Sequence, residues 1–148
     1  MRISAKSKYG LASILYIAQQ GKAKEFITIQ TLSERLNISR IYLEQVFALL
    51  KRADLVVSAK GSQGGYQLSR PPKNITIYEI LLATENTLFE RTASEKINAQ
   101  LFIEQTLQDM VFDKLDSLIE GTLESITLQT LLVELENRTA QEGGMYHI

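Results

Sequence analysis

Apolar residues recur at intervals of three and four over the first fifty positions, which is the spacing of amphipathic helices. The first such stretch predicts a helix from about Ser7 to Gln20. Gly21 follows it at a position suited to a left-handed C-terminal cap. The apolar face of this helix is predicted to consist of Leu11, Leu15 and Ala18.

Two further helices follow, separated by a tight turn. Thr28 is the predicted N-cap of the second helix, in which Leu32 and Leu36 lie four residues apart on one face. Asn37 occupies the turn, where it tolerates a left-handed backbone. Ser39 is predicted to cap the third helix. The core face of that helix, spaced i, i+3, i+4 and i+7, is predicted to consist of Leu43, Val46, Phe47 and Leu50.

Short apolar runs on either side of a glycine-rich stretch predict a β-hairpin after the third helix. Strands are expected over residues 55–58 and 66–69. The order of elements over residues 28–68 is then helix, tight turn, helix, strand, turn and strand, which is typical of a winged helix-turn-helix. The predicted fold is therefore mainly α with a small β-hairpin wing, followed by a long dimerisation helix.

That long helix is predicted from the pattern after the wing. Thr76 and Glu79 form a capping box that opens a short apolar helix through Leu82. A polar connector, residues 84–94, precedes a helix over about 94–120. Its apolar stripe consists of Ile97, Leu101, Met110, Val111, Leu115, Leu118 and Ile119. Because the N-terminal domain is too small to cover this stripe, we expect a second subunit to cover it in a two-fold homodimer. The alternative is that the stripe packs only on its own domain.

The chain is accordingly divided into four parts. Residues 1–83 form the winged helix-turn-helix domain, and residues 84–94 form the connector. Residues 95–138 comprise the dimerisation helix and a shorter final helix. Residues 139–148 are predicted to be a flexible tail, loosened by two adjacent glycines.

The net charge of −1 conceals a strong asymmetry. Residues 1–80 contain twelve Lys and Arg against five Asp and Glu, a net charge of +7, whereas residues 81–148 contain four against twelve, a net charge of −8. A basic N-terminal half can neutralise phosphates. The acidic half is repelled by them and is expected to lie away from a duplex.

The chain contains no cysteine, and its one histidine, His147, lies next to the C-terminus. Iron–sulfur clusters are held mainly by thiolates, and metal sites need clustered ligands, so no cofactor is expected. Nucleophilic catalysis by a Cys–His pair or a Ser–His–Asp triad needs a cysteine or a well-placed histidine, and the chain has neither. The chain is therefore not expected to be an enzyme. No apolar run is long enough for a membrane span, and the N-terminus lacks the apolar stretch of a signal peptide. A cytoplasmic location without membrane contact is expected.

The exposed face of the third helix carries the residues expected to recognise DNA. In a helix-turn-helix the start of the second helix enters the major groove. Glutamate can accept a hydrogen bond from cytosine and glutamine can pair with adenine, so Glu44 and Gln45 are candidates for base recognition. Arg40 could contact guanine or a phosphate. A merely solvated polar face is the alternative. The expected contact set on this helix is Ser39, Arg40, Tyr42, Glu44 and Gln45.

The wing and the N-terminus are expected to contact the DNA backbone. Glycines permit a tight turn and a close approach to sugar-phosphate, and a lysine offers its charge to a phosphate or to the minor groove. The expected wing set is Lys60, Gly61, Gly64, Gly65 and Tyr66. Further expected phosphate contacts near the first helix are Arg2, Lys6, Lys8 and Tyr9.

These motifs resemble the Rrf2 family of bacterial winged-helix regulators. The matching pieces are the start of the chain with Lys6 and Tyr9, the tetrapeptide of residues 42–45, the wing over residues 61–68 and the long helix. The resemblance implies a homodimeric repressor that binds a pseudo-palindromic site on double-stranded DNA. Many members have arginine at the position of Lys60, so insertion of this wing into a minor groove is less strongly implied.

The resemblance also shows what this chain lacks. Sensor members of the family bind an iron–sulfur cluster through three cysteines in the loop before the dimer helix. The corresponding loop here, residues 84–94, has none. The resemblance therefore implies a regulator without a cluster, in which the signal enters by another route.

The last residues suggest such a route. Tyr146, His147 and Ile148 resemble the ending of cysteine-metabolism repressors in this family, for which cysteine synthase is a partner. Because backbone nests capture terminal carboxylates, our hypothesis is that these three residues enter the active-site cleft of cysteine synthase. Three alternatives remain: a frayed tail without a role, a repressor gated by a small molecule bound between the dimer helix and the winged domain, and a protein-interaction module without DNA recognition.

Overall fold

The computed structural model describes residues 2–21, 25–92 and 101–145, of which Met145 is described without its side chain. Within these ranges the chain forms helices and one two-stranded antiparallel sheet. In chain order the elements are α1 (Ala5–Gln20), α2 (Ile29–Leu36), α3 (Arg40–Arg52), β1 (Val56–Ala59), β2 (Gly65–Leu68), a 3-10 turn (Pro72–Asn74), α4 (Ile77–Thr84), α5 (Ile103–Leu107), a π-helical turn (Gln108–Phe112), α6 (Asp113–Glu124) and α7 (Leu128–Met145).

Local capping signals place most helix ends where the sequence predicts them. The Thr28 hydroxyl accepts a hydrogen bond from the Thr31 amide at the start of α2. Asn37 ends that helix in the left-handed region, with φ of 55°. Gly21 ends α1 in the same region, with φ of 43°. The capping box of Thr76 and Glu79 is present at the start of α4. These caps are confirmed because each depends only on residues within one turn.

The buried face of α3 is also as predicted. Leu43, Val46, Phe47 and Leu50 are all fully buried and belong to the core. Ser39 occupies the N-cap position of α3, but its side chain makes no capping hydrogen bond. Ser39 therefore occupies the predicted N-cap position, but the predicted capping role of its side chain is wrong.

The predicted apolar face of α1 is only partly correct. Ala18 is buried, but Leu11 and Leu15 are half-buried, and the fully buried positions include Ile14. Gly10 also lies on the buried face, where an added Cβ would be 3.2 Å from Val46 Cγ1. Small residues therefore bring α1 close to α3. A pattern of apolar side chains cannot detect such a face, because glycine has no side chain to count.

The hairpin forms one residue away from its predicted bounds in each strand. β1 and β2 pair in antiparallel register, with Val56 opposite Leu68. Ile27 adds an isolated bridge on the outer side of β2: the Ile27 amide donates to the Tyr66 carbonyl, and the Tyr66 amide donates to the Ile27 carbonyl, both at 2.8 Å. This pairing attaches the wing to the segment that leads into α2.

The long helix differs from its prediction within its length and at its C-terminal end. Phe102, inside the predicted helix, has a left-handed backbone with φ of 53°, and α5 begins only after it. Ile97 and the predicted start near residue 94 lie outside the described residues. The described part begins with α5, passes through the π-helical turn and ends with α6 at Glu124, four residues later than predicted. α4 packs against α6, so this long helical segment is attached to the winged unit at its C-terminal end.

The final helix is longer than predicted. α7 contains 18 residues and continues through Gly143 and Gly144 to Met145, so the prediction of a short helix followed by a flexible tail from residue 139 is wrong for residues 139–145. A glycine costs a helix only about 1 kcal/mol relative to alanine, which a long helix tolerates. Residues 146–148 lie outside the described residues.

The start of α7 belongs to the core of the N-terminal unit. Leu128 is fully buried, and its amide donates to the Ile75 carbonyl at 2.9 Å. The Ile77 amide donates to the Ile126 carbonyl, also at 2.9 Å. The chain thus leaves the winged unit after α4 and returns to it at α7. Among the described residues, no helix is both long and apolar enough to cross a membrane.

Candidate nucleic-acid interface

The outer face of α3 presents a continuous set of exposed side chains. Its core face is occupied by apolar residues, so the first two turns offer the remaining positions to solvent. Ile41, which sequence reasoning missed, is 69% exposed, and an aliphatic side chain there can contact a thymine methyl group. The available sequence signal was the position of Ile41, which falls outside the core spacing of the helix. The exposed residues over these turns are Arg40, Ile41, Tyr42, Glu44 and Gln45.

A pair of tyrosines joins the start of α1 to the start of α3. The rings of Tyr9 and Tyr42 meet edge to face, with centroids 5.3 Å apart. Such pairs contribute more than their buried area alone. Lys6 lies three residues before Tyr9 and therefore on the same side of α1, and Arg2 is exposed just before this helix. The predicted phosphate contacts of α1 thus lie near the predicted base contacts of α3.

A second aromatic pair fixes the wing against the same helix from its buried side. Phe47 of α3 and Tyr66 of β2 have ring centroids 4.6 Å apart. The backbone of Tyr66 is in turn paired with Ile27. The structure therefore places Tyr66 between α3 and the chain before α2, where it positions the wing and is only half exposed.

The three wing glycines have different roles. Gly61 has φ of 103° and nothing within 4 Å of an added Cβ, so it remains open to a neighbouring molecule. A Cβ on Gly64 would overlap the Ala59 carbonyl, and one on Gly65 would overlap the backbone of Ile27. Gly64 and Gly65 are therefore required by the turn and by the pairing of the wing. Lys60, next to Gly61, is exposed.

In the part of the chain that the structure describes, no side chain caps the first amides of α3. Ser4, Thr28 and Thr76 each accept a hydrogen bond from an amide of the helix they cap, whereas Ser39 does not. Free amides and the helix dipole at such an end favour a phosphate. The exposed Ser39 hydroxyl can donate to the same group.

A polar cluster that sequence reasoning missed connects α4 to the start of α1. The Ser4 amide donates to Glu85 Oε1 at 2.7 Å, and the hydroxyls of Ser7 and Thr84 are 2.7 Å apart. Partial burial raises the pKa of Glu85, but hydrogen bonds from the Ser4 amide and from the Ser7 and Ser4 hydroxyls bring the pKa below its usual value. The only sequence signal was Ser4 itself, a good N-cap residue.

The predicted dimerisation residues are all exposed: Met110, Val111, Leu115 and Leu118 lie on the long helical segment, and Leu101 lies just before it. Leu101 is 60% exposed, Leu115 53% and Leu118 66%, and Met110 and Val111 are exposed as well. Three neighbours that sequence reasoning did not include extend this exposed apolar surface: Phe102, Ile103 and Leu107. In one chain this surface has no protein covering among the described residues.

The donor groups of this chain do not fit an iron–sulfur cluster. Such clusters need thiolate ligands, and the sequence has no cysteine. Within the described ranges, no group of three or more His, Asp or Glu side chains is placed to hold a metal ion. His147 lies outside those ranges. No cluster ligands are therefore evident.

Comparison with known proteins is consistent with this geometry. The Rrf2 family model, described as an iron-dependent transcriptional regulator, matches residues 3–134. A helix-turn-helix transcriptional regulator of Neisseria meningitidis serogroup A is 33% identical over 137 residues, which cover 93% of this chain and 91% of that protein.

Two solved structures share the whole arrangement. CymR of B. subtilis, described as the global cysteine regulator, superposes with a TM-score of 0.73 at 25% identity, over 90% of this chain and 98% of that chain. IscR of T. potens superposes with a TM-score of 0.73 at 30% identity, over 99% of this chain and 97% of that chain. The predicted winged fold and the expectation of a regulator rather than an enzyme are confirmed. The chain belongs to the Rrf2 family of DNA-binding transcriptional regulators.

Proposed function

We propose that this chain acts as a homodimeric, cluster-free repressor that binds a pseudo-palindromic DNA site. The observation that carries the proposal is the exposed polar face of α3, held between two aromatic pairs. Tyr9 supports its start from α1, and Tyr66 supports it from the wing. One rigid unit therefore presents candidate base contacts and candidate phosphate contacts together.

The side chains of this unit make different kinds of contact with DNA in this proposal. Glu44 and Gln45 contact base edges in the major groove, and Arg40 contacts guanine or a phosphate. Lys6 and Lys60 contact the DNA backbone, since Lys6 belongs to α1 and Lys60 follows β1, and both of these elements pack against the recognition helix. The net charge of +7 over residues 1–80 supports this assignment.

The homodimer is supported by the exposed apolar face of the long helical segment. A face that carries Leu115 and Leu118 at high exposure is unfavourable in water, and a second copy related by a two-fold axis would cover it. The two-fold axis would then place two recognition helices on two half-sites, about one or more turns of 10 bp apart.

The decisive experiment is selection of binding sites from a random-sequence DNA library by the purified full-length chain. A recovered motif with two inverted half-sites supports the proposal. Recovery of no motif would overturn it and would favour an interaction module without DNA recognition. Arg138→Ala serves as the control variant, because Arg138 is exposed on α7 and pairs only with Glu134 among the described residues.

We further propose that the chain regulates cysteine or sulfur metabolism through cysteine synthase. The support is the likeness to CymR of B. subtilis, described as the global cysteine regulator, together with the sequence of the last three residues. Residues 146–148 directly follow the end of α7 in the sequence.

Titration calorimetry tests this second proposal. Cysteine synthase from the same organism is titrated with the full-length chain and with a chain that ends at Met145. Binding that disappears on truncation supports the tail as the point of contact. Absence of binding by the full-length chain, or equal binding by both, would overturn this role of Tyr146, His147 and Ile148.

A further inference from the structure

A cavity of about 610 Å³ opens between the last turn of α1, strand β2 and α7. Its apolar walls come from Ile17 of α1, Ile27, Leu68 of β2 and Leu132 of α7. Cavities that bind small organic molecules have volumes of about 300–1,000 Å³ and mostly apolar walls. This cavity therefore has the size for a small molecule. None of its described wall residues belongs to α3 or to the long helical segment.

Arg70 is the cationic residue in the described wall of this cavity. Its Nη2 donates to Glu79 Oε1 at 2.5 Å. The other carboxylate oxygen of Glu79 accepts from the Thr76 amide at 3.0 Å, because Glu79 also completes the capping box of α4. Glu79 therefore offers Arg70 a single oxygen instead of the two that a bidentate pair requires.

The consequence is an unused donor on the guanidinium group. Arg70 Nε is buried and has no hydrogen-bond partner among the described residues. A buried donor without an acceptor is unfavourable, and the parallel donors of arginine match the two oxygens of a carboxylate. Nε itself is closed to solvent, but the Arg70 side chain is 34% exposed and lines the cavity, so an acceptor in the cavity can meet the charge of Arg70 at its exposed part.

We propose that this cavity binds a small organic carboxylate with an apolar body. The carboxylate pairs with the guanidinium of Arg70, and the body lies against Ile17, Ile27 and Leu68. Glu25 also lies in the wall, but it is exposed, so water screens its charge. The proposal concerns the protein alone and does not depend on DNA binding or on cysteine synthase.

The position of the cavity places such a ligand close to the wing. Ile27 pairs through its backbone with Tyr66, and Tyr66 packs on Phe47 of the recognition helix. Leu68 belongs to the same strand as Tyr66. A molecule in the cavity therefore contacts the inner side of the strand that carries the wing.

The test is an NMR titration of the full-length ¹⁵N-labelled chain with phenylacetate and, separately, with 4-methylpentanoate. These probes carry an aromatic and a branched body on the same head group. We expect saturable shifts of the amide signals of Ile17, Ile27 and Leu68 with at least one of them. Phenylacetamide, the neutral counterpart of phenylacetate, is expected to bind about tenfold more weakly, because it cannot form the ionic pair.

Two variants separate the site from a general effect of charge. Arg70→Lys keeps a cation opposite Glu79 but removes the parallel N–H donors of the guanidinium group. It is expected to weaken carboxylate binding about tenfold. Arg138→Lys makes the same exchange in an exposed Arg–Glu pair on α7, and is expected to leave binding unchanged.

A third variant tests the cavity itself. Leu132→Phe, which fills part of the cavity, is expected to abolish binding, with thermal unfolding as the check that the variant is folded.

Three results would each overturn the proposal. One is the absence of shifts at these residues with either probe up to about 10 mM, a concentration at which even weak ligands bind. Another is equal binding of phenylacetate and phenylacetamide. The third is unchanged binding by Arg70→Lys in a folded protein.

Discussion

At the residue scale, the side chains of the candidate interface can offer DNA different kinds of contact. Gln45 is exposed on α3 and can pair with an adenine edge, whereas Lys6 of α1 offers only a charge. The first contact depends on the base and the second does not. Replacement of each residue is therefore expected to change DNA binding in a different way.

Gln45→Ala is expected to reduce the preference for the selected site by about 1–3 kcal/mol at one base-pair position and to leave binding to random DNA unchanged. Lys6→Ala is the matched comparison, and should weaken both complexes similarly and reduce the slope of log K against log salt by about 1. Fluorescence anisotropy on both duplexes at several salt concentrations measures these quantities. Equal loss on the two duplexes for Gln45→Ala would contradict its role in base recognition.

Gly65 illustrates a residue whose role in the fold outweighs any contact with DNA. Its φ of 131° and the proximity of Ile27 leave no room for a Cβ. Gly65→Ala is expected to lower the free energy of unfolding by about 1–3 kcal/mol, measured by urea denaturation. Gly143→Ala is the control, because nothing lies within 4 Å there and alanine favours a helix by about 0.5–1 kcal/mol. A Gly65 variant as stable as the wild type would contradict this account.

At the element scale, the contact between the end of α4 and the start of α1 connects distant parts of the chain. Glu85 accepts from the Ser4 amide, and Tyr78 of α4 packs on Phe89 of the connector with ring centroids 4.8 Å apart. α1 carries Tyr9, whose ring packs on Tyr42 of α3. The beginning of the connector and the helices of the candidate interface therefore share one contact network.

The stability of this network is expected to depend on pH through Glu85. Because its pKa is lower in the folded chain, Glu85 contributes stability that is fully present above the pKa of the unfolded chain. This contribution is lost as the pH falls through the folded pKa. Urea denaturation of wild type and Glu85→Gln across the acidic range should show a smaller pH dependence in the variant. Glu90→Gln, an exposed position in the connector, is the control, and an unchanged profile for Glu85→Gln would contradict the prediction.

At the scale of the whole molecule, charge and apolar surface are separated along the chain. The basic half contains the candidate DNA interface, and the acidic half carries the exposed apolar face of the long helical segment. Such a separation suits a dimer whose centre lies away from the duplex and whose two winged units contact it.

The dimer is tested by a double substitution on that face. Leu115→Glu with Leu118→Glu is expected to produce a folded monomer with strongly reduced affinity for a two-half-site duplex, because like charges would then meet across the axis. Analytical ultracentrifugation measures the mass, and circular dichroism checks the fold. Leu82→Glu, an equally exposed leucine on α4, is the control. A double variant that remains dimeric would place the interface elsewhere.

The order of the elements, the core face of α3, the caps of α2 and α4 and the absence of cluster ligands could all be predicted from the amino-acid sequence. Each of these follows from side-chain chemistry or from spacing within a few residues. Three contacts became visible only in the fold: Ser4 meets Glu85, Leu128 completes the core of the winged unit, and Gly65 lies against Ile27. These contacts join residues far apart in sequence, and the path of the folded chain, which no local pattern specifies, brings them together.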